Sequence, residues 1–247
     1  MDFEENEPKA QVIMSKIGVL VGSDSRQEWL LPWWWENFRK HSSYPVTFVD
    51  FGLSQEKKAW CKDRGECISL RSPPLFVKDR EEVESSFVED WESHYPDTFW
   101  TSREAWFKKP LACLLSPYER TLWCDLDCEV VKPLDGLMRA CDERVGIALA
   151  KDFSSDSIYN SGVIVFQKEH SLIQEWAKQS IEKNGAFRGD QDLLSQIIAE
   201  KNIPIRELPP IYNWSVGYGE KEDVVIYHWL GDAAKSALRN RLIINCL

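Results

Sequence analysis

Along the chain, short continuous apolar runs alternate with stretches whose apolar residues recur at helical spacing. Residues 16–22 (KIGVLVG) form an apolar run closed by glycine, the pattern of a strand buried on both faces. Positions 27–41 follow with helical spacing, Pro32 falling where a first turn tolerates it, and 46–51 (VTFVDF) reads as a second strand. This strand–helix–strand unit of about thirty residues predicts an α/β fold with a parallel sheet. The charged, less regular stretch 54–100 predicts a helix or two and long loops. Beyond it the pattern predicts a helix over 103–115, kinked or broken at Pro110, then a strand over 121–125, a helix over 134–141 and a strand over 145–150. A strand over 160–166 (NSGVIVF) precedes an amphipathic helix over 171–183, and Asp190 reads as the N-cap of a helix reaching Lys201. Short strands near 203–208 and 224–229 lead to a basic, apolar tail, 234–247, that predicts a closing helix. Residues 1–14 read as a loose leader. No repeat, low-complexity tract or linker divides 15–247, which reads as one domain.

Composition narrows the function. With 43% hydrophobic residues among 247, the chain can bury a full core. A formal charge of −10 argues against a bare nucleic-acid groove. Seven cysteines, odd in number and without a CxxC pair, suggest neither a zinc site nor a disulfide framework, and read as reduced thiols of a cytoplasmic protein. The acidic start, MDFEENEPKAQ, resembles neither a signal nor a transit peptide. No run approaches the roughly 20 apolar residues of a membrane span, so any membrane contact would be peripheral. Twelve tryptophans serve core packing for the most part, with a few available to line a sugar site.

The candidate chemistry lies in RTLWCDLDCEVVKPLD, residues 120–135. An apolar run stops at Asp125 and Asp127, flanking Leu126, and Glu129 follows. If the strand continues, i and i+2 share a side, and the two carboxylates repel unless a cation lies between them. In an open α/β sheet the C-terminal end of a strand is where ligands gather. A haloacid-dehalogenase-type phosphatase also ends a strand in DxD, but wants Thr or Val where Glu129 stands. An EF-hand loop wants glycine at its sixth position, which from Asp125 is Val130. A divalent cation neutralising a nucleotide-sugar diphosphate remains.

Further segments, in order along nearly the whole chain, give the sequence its resemblance to a family. KIGVLVGSDS looks like a first strand and nucleotide loop, and REAWFKKPLACLLSPYERTLWCDLDCEVV like the helix leading into a DxD strand. YNSGVIVFQ, GDQDLLSQ, LPPIYNW and YHWLGDAAK resemble NxG, DQxxLN-like, LPxxYN and HxxGxxK elements. Together they resemble the GT-A glycosyltransferases, most closely the retaining glycogenin and bacterial galactosyltransferase-like group, glycosyltransferase family 8. Two departures stand out: Gly231 and Lys235 are spaced GxxxK rather than GxxK, and Ser195 replaces the usual second asparagine.

The resemblance implies a GT-A fold, with a mostly parallel sheet flanked by helices, a Rossmann-like nucleotide-binding half and an acceptor-side half. It implies a hexosyltransferase that moves glucose or galactose from a UDP-sugar to an acceptor hydroxyl with retention. The acceptor, whether saccharide, lipid-linked glycan or protein, is not specified. Asp125, Asp127 and His228 would hold Mn²⁺, with Mg²⁺ as the substitute, imidazole beside carboxylates suiting Mn²⁺ better than Ca²⁺. Gly231 would admit the phosphates and Lys235 would add positive charge. The nucleoside would lie against 21–25, including Val21, Gly22, Ser23 and Asp24, although a loop Asp also forms turns. Asp125 and Leu126 of the DxD, with Arg103 and Lys109 on the preceding helix, are donor-binding candidates. Asn160, Asp190 and Gln191 would address the sugar. Two rivals stay open: a non-catalytic nucleotide-sugar-binding protein of the same fold, and a sugar nucleotidyltransferase. The first is disfavoured by the retained carboxylates and histidine, the second by a loop, GSDSRQEW, poor in glycine and basic residues.

Overall fold

The computed structural model describes residues 16–95, 98–142, 144–152 and 159–244. The expected leader over 1–14, Cys246 and the last residues of the closing helix lie outside them. The chain opens with β1 (Ile17–Ser23), α1 (Leu31–His41), β2 (Val46–Asp50), α2 (Gln55–Lys62) and β3 (Glu66–Ser69). After α3 (Ser85–His94) and α4 (Phe99–Cys113) come β4 (Arg120–Cys124), β5 (Cys128–Val130), α5 (Asp135–Ala140) and β6 (Ile147–Lys151). The remainder is β7 (Tyr159–Gln167), α6 (Ser171–Glu182), α7 (Asp190–Lys201), β8 (Arg206–Leu208), β9 (Trp214–Ser215), β10 (Ile226–His228) and α8 (Gly231–Ile244).

Seven strands form the central sheet in the order β3-β2-β1-β4-β7-β6-β8. All neighbours are parallel except at β7, which runs against both β4 and β6. The continuous apolar runs have a direct cause, since the sheet is covered on both faces. Val19 and Val21 of β1 pack with Trp34 and Phe38 of α1 on one face, while Leu20 joins Phe107, Trp123 and Trp176 on the other. β7 divides the same way, Val163 and Val165 against Ile164 and Phe166.

Several boundaries differ from the sequence reading. The stretch 54–100 holds two helices, α2 and α3, as expected, and β3 in addition. It also supplies a third apolar cluster, Val83, Val88, Trp91 and Phe99, against which Tyr95, Trp100 and Trp106 pack. α4 is one helix despite Pro110, which falls in its last turn, where only one backbone bond can be lost. A second sheet, β5-β10-β9, was not foreseen: β10 matches the short strand expected near 224–229, but its partners β5 and β9 are only three and two residues long.

Candidate active site

The topology brings several chain ends to one edge of the large sheet. β1 and β4 run parallel and finish side by side, so the loop after Ser23 and the acids after Cys124 are neighbours. β7 runs the other way, with Cys124 opposite Val163, so its first residues lie beside the end of β4. Asp125 N–H donates to Gly162 O at 2.8 Å. The small sheet then sets His228 opposite Cys128, one residue beyond Asp127. A cleft of about 590 Å³ opens here, walled by the β1 loop, α4, the DxD segment, the start of β7, the start of α7 and the start of α8.

The two aspartates do not sit on one strand face. β4 stops at Cys124, and Asp125 to Cys128 form a turn closed by Cys128 N–H donating to Asp125 O at 3.1 Å. The same-side argument therefore fails here, and each carboxylate faces its own lysine. Asp125 accepts from Lys109 Nζ at 2.9 Å and from the Trp123 indole N–H at 2.7 Å. Asp127 meets Lys235 Nζ at 2.9 Å and His228 Nε2 at 3.2 Å. Burial alone would raise the Asp127 pKa, but Lys235 and His228 outweigh it and hold the carboxyl well below the usual carboxylate range. Asp127 in turn raises Lys235 above an ordinary lysine.

Lys109 ties this region to the start of α7. Its ammonium lies 2.9 Å from Asp125, 3.3 Å from Asp190 and 3.0 Å from Ser161 Oγ. Burial opposes its charge, yet Asp125 and Asp190 prevail and raise its pKa. Asp190, buried and close to Asp125, titrates above the usual range although Lys109 and Ser161 work against the rise. Asp190 is not the N-cap. Gly189 holds that position, and Asp192 accepts its N–H at 3.1 Å, leaving Asp190 Oδ2 free to take the Ser161 hydroxyl at 2.8 Å.

A neighbouring polar group includes one residue missed from the sequence. Asp152, directly after β6, accepts from Gln191 Nε2 at 2.7 Å and Asn160 Nδ2 at 3.3 Å. Gln191 Oε1 accepts the Ser161 N–H at 3.1 Å, so the amide's orientation is set by backbone. The available signal for Asp152 was an acid just past a strand end, at the edge where β4 also ends. Among the described residues, seven aspartates and four Lys or Arg line the cleft, an excess of negative charge suited to a cationic ligand.

Asp127 and His228 have a donor set that fits a divalent cation. Cis ligands about 2.1 Å from one ion lie about 3 Å apart, and Asp127 Oδ1 and His228 Nε2 are 3.2 Å apart. Cys128 is also within reach. Sγ donates to Gly162 O at 3.9 Å, and a soft thiolate suits Mn²⁺ or Mg²⁺ less well than carboxylate and imidazole do.

No known family profile matches the chain, and no curated protein matches it. Solved structures do. GlyE of Streptococcus pneumoniae TIGR4 superposes with a TM-score of 0.61 at 14% identity, over 88% of this chain and 55% of that one. The galactosyltransferase LgtC, in complex with donor and acceptor sugar analogues, gives 0.57 at 12%, over 93% and 96%. Mouse xyloside xylosyltransferase 1 gives 0.53 at 14%, over 86% and 97%. The chain thus spans about half the length of GlyE. The fold is that of the GT-A glycosyltransferases.

Within the GT-A frame, the other expected residues separate by location. Gly22, Ser23, Asp24, Lys109, Asp125, Leu126, Asp127, Asn160, Asp190, Gln191, His228, Gly231 and Lys235 all border the cleft. Despite the longer spacing, Lys235 reaches Asp127, because Gly231 and Lys235 are one turn apart on α8. Gly231 has φ of +79°, a left-handed backbone that favours glycine. Asp24 behaves as a turn former, its Oδ1 accepting the N–H groups of Arg26 and Gln27 and its Oδ2 binding the Arg26 guanidinium. Ser195 Oγ accepts the Tyr159 N–H at 3.2 Å and so fastens the start of β7.

Two expected donor contacts are corrected. The Val21 side chain is 1% exposed and belongs to the core. Arg103 is fully buried and is not among the residues that border the cleft. Its guanidinium donates to the carbonyls of Arg188, Lys78, Asn184 and Phe187 at 2.6–3.1 Å, ringed by Trp91, Trp100, Phe99 and Phe107. It joins α4 to two loops, as a buried guanidinium needs full hydrogen bonding.

Proposed function

We propose that this protein is a cation-dependent retaining hexosyltransferase of the family 8 type, moving glucose or galactose from a UDP-sugar to an acceptor hydroxyl. The observation that carries the reading is the Asp127–His228 pair. An imidazole nitrogen and a carboxylate oxygen face each other at 3.2 Å, beside Lys235, in a cleft with excess negative charge. Asp127 and His228 would hold Mn²⁺, or Mg²⁺ in its place, with Asp125 as the adjacent carboxylate. The cation would offset the charge that develops on the departing diphosphate. Lys235 adds a fixed positive charge beside it, and Gly231 leaves the start of α8 without a side chain where phosphates would approach.

The sugar would face Asp190, Asn160, Gln191 and Asp152. Lys109 keeps an ammonium between Asp125 and Asp190, so the acids assigned to cation and sugar are held by one group. Gln191 is an amide and a poor nucleophile. Its place between Ser161 and Asp152 suits stabilising positive charge on the sugar ring. The nucleoside would lie against Gly22, Ser23 and Asp24. Incubation with UDP-glucose or UDP-galactose and Mn²⁺, following UDP, tests the reading.

A further inference from the structure

His228 can bind a cation through Nε2 only if that nitrogen's lone pair is free, and the hydrogen is then on Nδ1. The surrounding bonds fix where it is. Gly162 N–H donates to Asn160 Oδ1 at 2.8 Å, and a backbone N–H cannot reverse its role. Asn213 approaches the same oxygen at 2.8 Å and must present its Nδ2. Its Oδ1 therefore points at His228 Nδ1, 2.8 Å away, and an amide oxygen only accepts. Nδ1 carries the hydrogen, and neutral imidazole keeps its lone pair on Nε2, toward Asp127. The ring lies in space that Gly162 leaves open, since a Cβ there would fall 2.2 Å from His228 Cε1.

We propose that Asn213, backed by Asn160 and Gly162, is a positioning residue that holds His228 in the tautomer able to ligate a divalent cation through Nε2. The inference rests on the reading of His228 as a cation ligand. Without the Asn213 oxygen, the Asp127 carboxylate is the strongest acceptor beside the ring. Neutral imidazole would then place its hydrogen on Nε2, donate it to Asp127, and lose its ligand lone pair.

The test compares wild type with Asn213→Ala, Asn213→Asp and His228→Ala. Mn²⁺ affinity is read by electron paramagnetic resonance, and the ring tautomer by ¹⁵N NMR of the metal-free protein at about pH 8.5, where free imidazole is neutral. Asn213→Ala should weaken Mn²⁺ binding about 10–100-fold and move the ring hydrogen to Nε2. Asn213→Asp keeps an acceptor for Nδ1–H but sets an oxygen against Asn160 Oδ1 in place of the amide donor, so it should hold the wild-type tautomer and bind Mn²⁺ more tightly than Asn213→Ala without reaching wild type. Unchanged affinity or an unchanged tautomer in Asn213→Ala, with affinity lost in His228→Ala, overturns the positioning role alone. Wild-type affinity in His228→Ala overturns the ligand assignment, and the inference with it.

Discussion

At the scale of single residues, the site is a balance between buried acids and the cations that face them. Asp127 is depressed because Lys235 and His228 outweigh its burial. A carboxylate held below its unfolded value stabilises the fold at pH above about 4 and loses that contribution as pH falls toward its native value. In metal-free buffer, Asp127→Asn should cost about 1–3 kcal/mol at neutral pH, with the gap to wild type narrowing below about pH 4. Chemical denaturation at pH 7 and pH 3 measures it, and a gap independent of pH would contradict the pairing. Asp190 has the opposite sign, its pKa being raised by burial and by Asp125. Because Gly189 caps the helix, Asp190→Asn removes no cap and should leave the melting temperature close to wild type. If its carboxylate binds a donor hydroxyl, kcat/KM should fall about 10–100-fold, the equivalent of one charge-assisted hydrogen bond. Transfer at the wild-type rate in the Asn variant would remove Asp190 from the sugar site.

At the scale of elements, what the sequence made legible followed from burial on two faces and from order along the chain. The runs at β1, β2, β4 and β7 are continuous because helices cover both sides of the sheet, so their apolar pattern survived reading residue by residue. β10 was legible as a short strand near 224–229, but β9 and β5 carried no comparable pattern, and their pairing with β10 places His228. Motif order pointed to the DxD, NxG and HxxG segments, whereas the partners of those residues depend on contacts across the chain. Asp152 meets Gln191 and Lys109 meets Asp190, separated by dozens of residues, and periodicity is silent about such pairs. Arg103 shows the same limit: helix position suggested a donor contact, but four carbonyls surround it. Arg103→Ala should therefore destabilise the protein by roughly 3 kcal/mol, because the carbonyls of Lys78, Phe187 and Arg188 would lose the guanidinium and a cavity would open among the surrounding aromatic rings. UDP affinity of the folded fraction should change little. A normal melting temperature with UDP binding lost would return Arg103 to the cleft.

At the scale of the whole molecule, the GT-A fold gathers strand ends, two helix starts and a small second sheet around one acidic cleft. The excess of acids would disfavour a diphosphate by itself, and a divalent cation would offset most of that excess where the phosphates approach Lys235. No helix among the described residues is long and apolar enough to cross a membrane. The six cysteines among them are free. Cation and nucleotide-sugar should act together in the cleft. The most direct measurement is UDP release from UDP-glucose and UDP-galactose, with Mn²⁺, with chelator, and in a folded Asp127→Ala variant. Release is expected with at least one donor in Mn²⁺, abolished by chelator and by Asp127→Ala. Release that persists at the same rate in the chelator or in that variant, or no release from either donor with any cation, would contradict it.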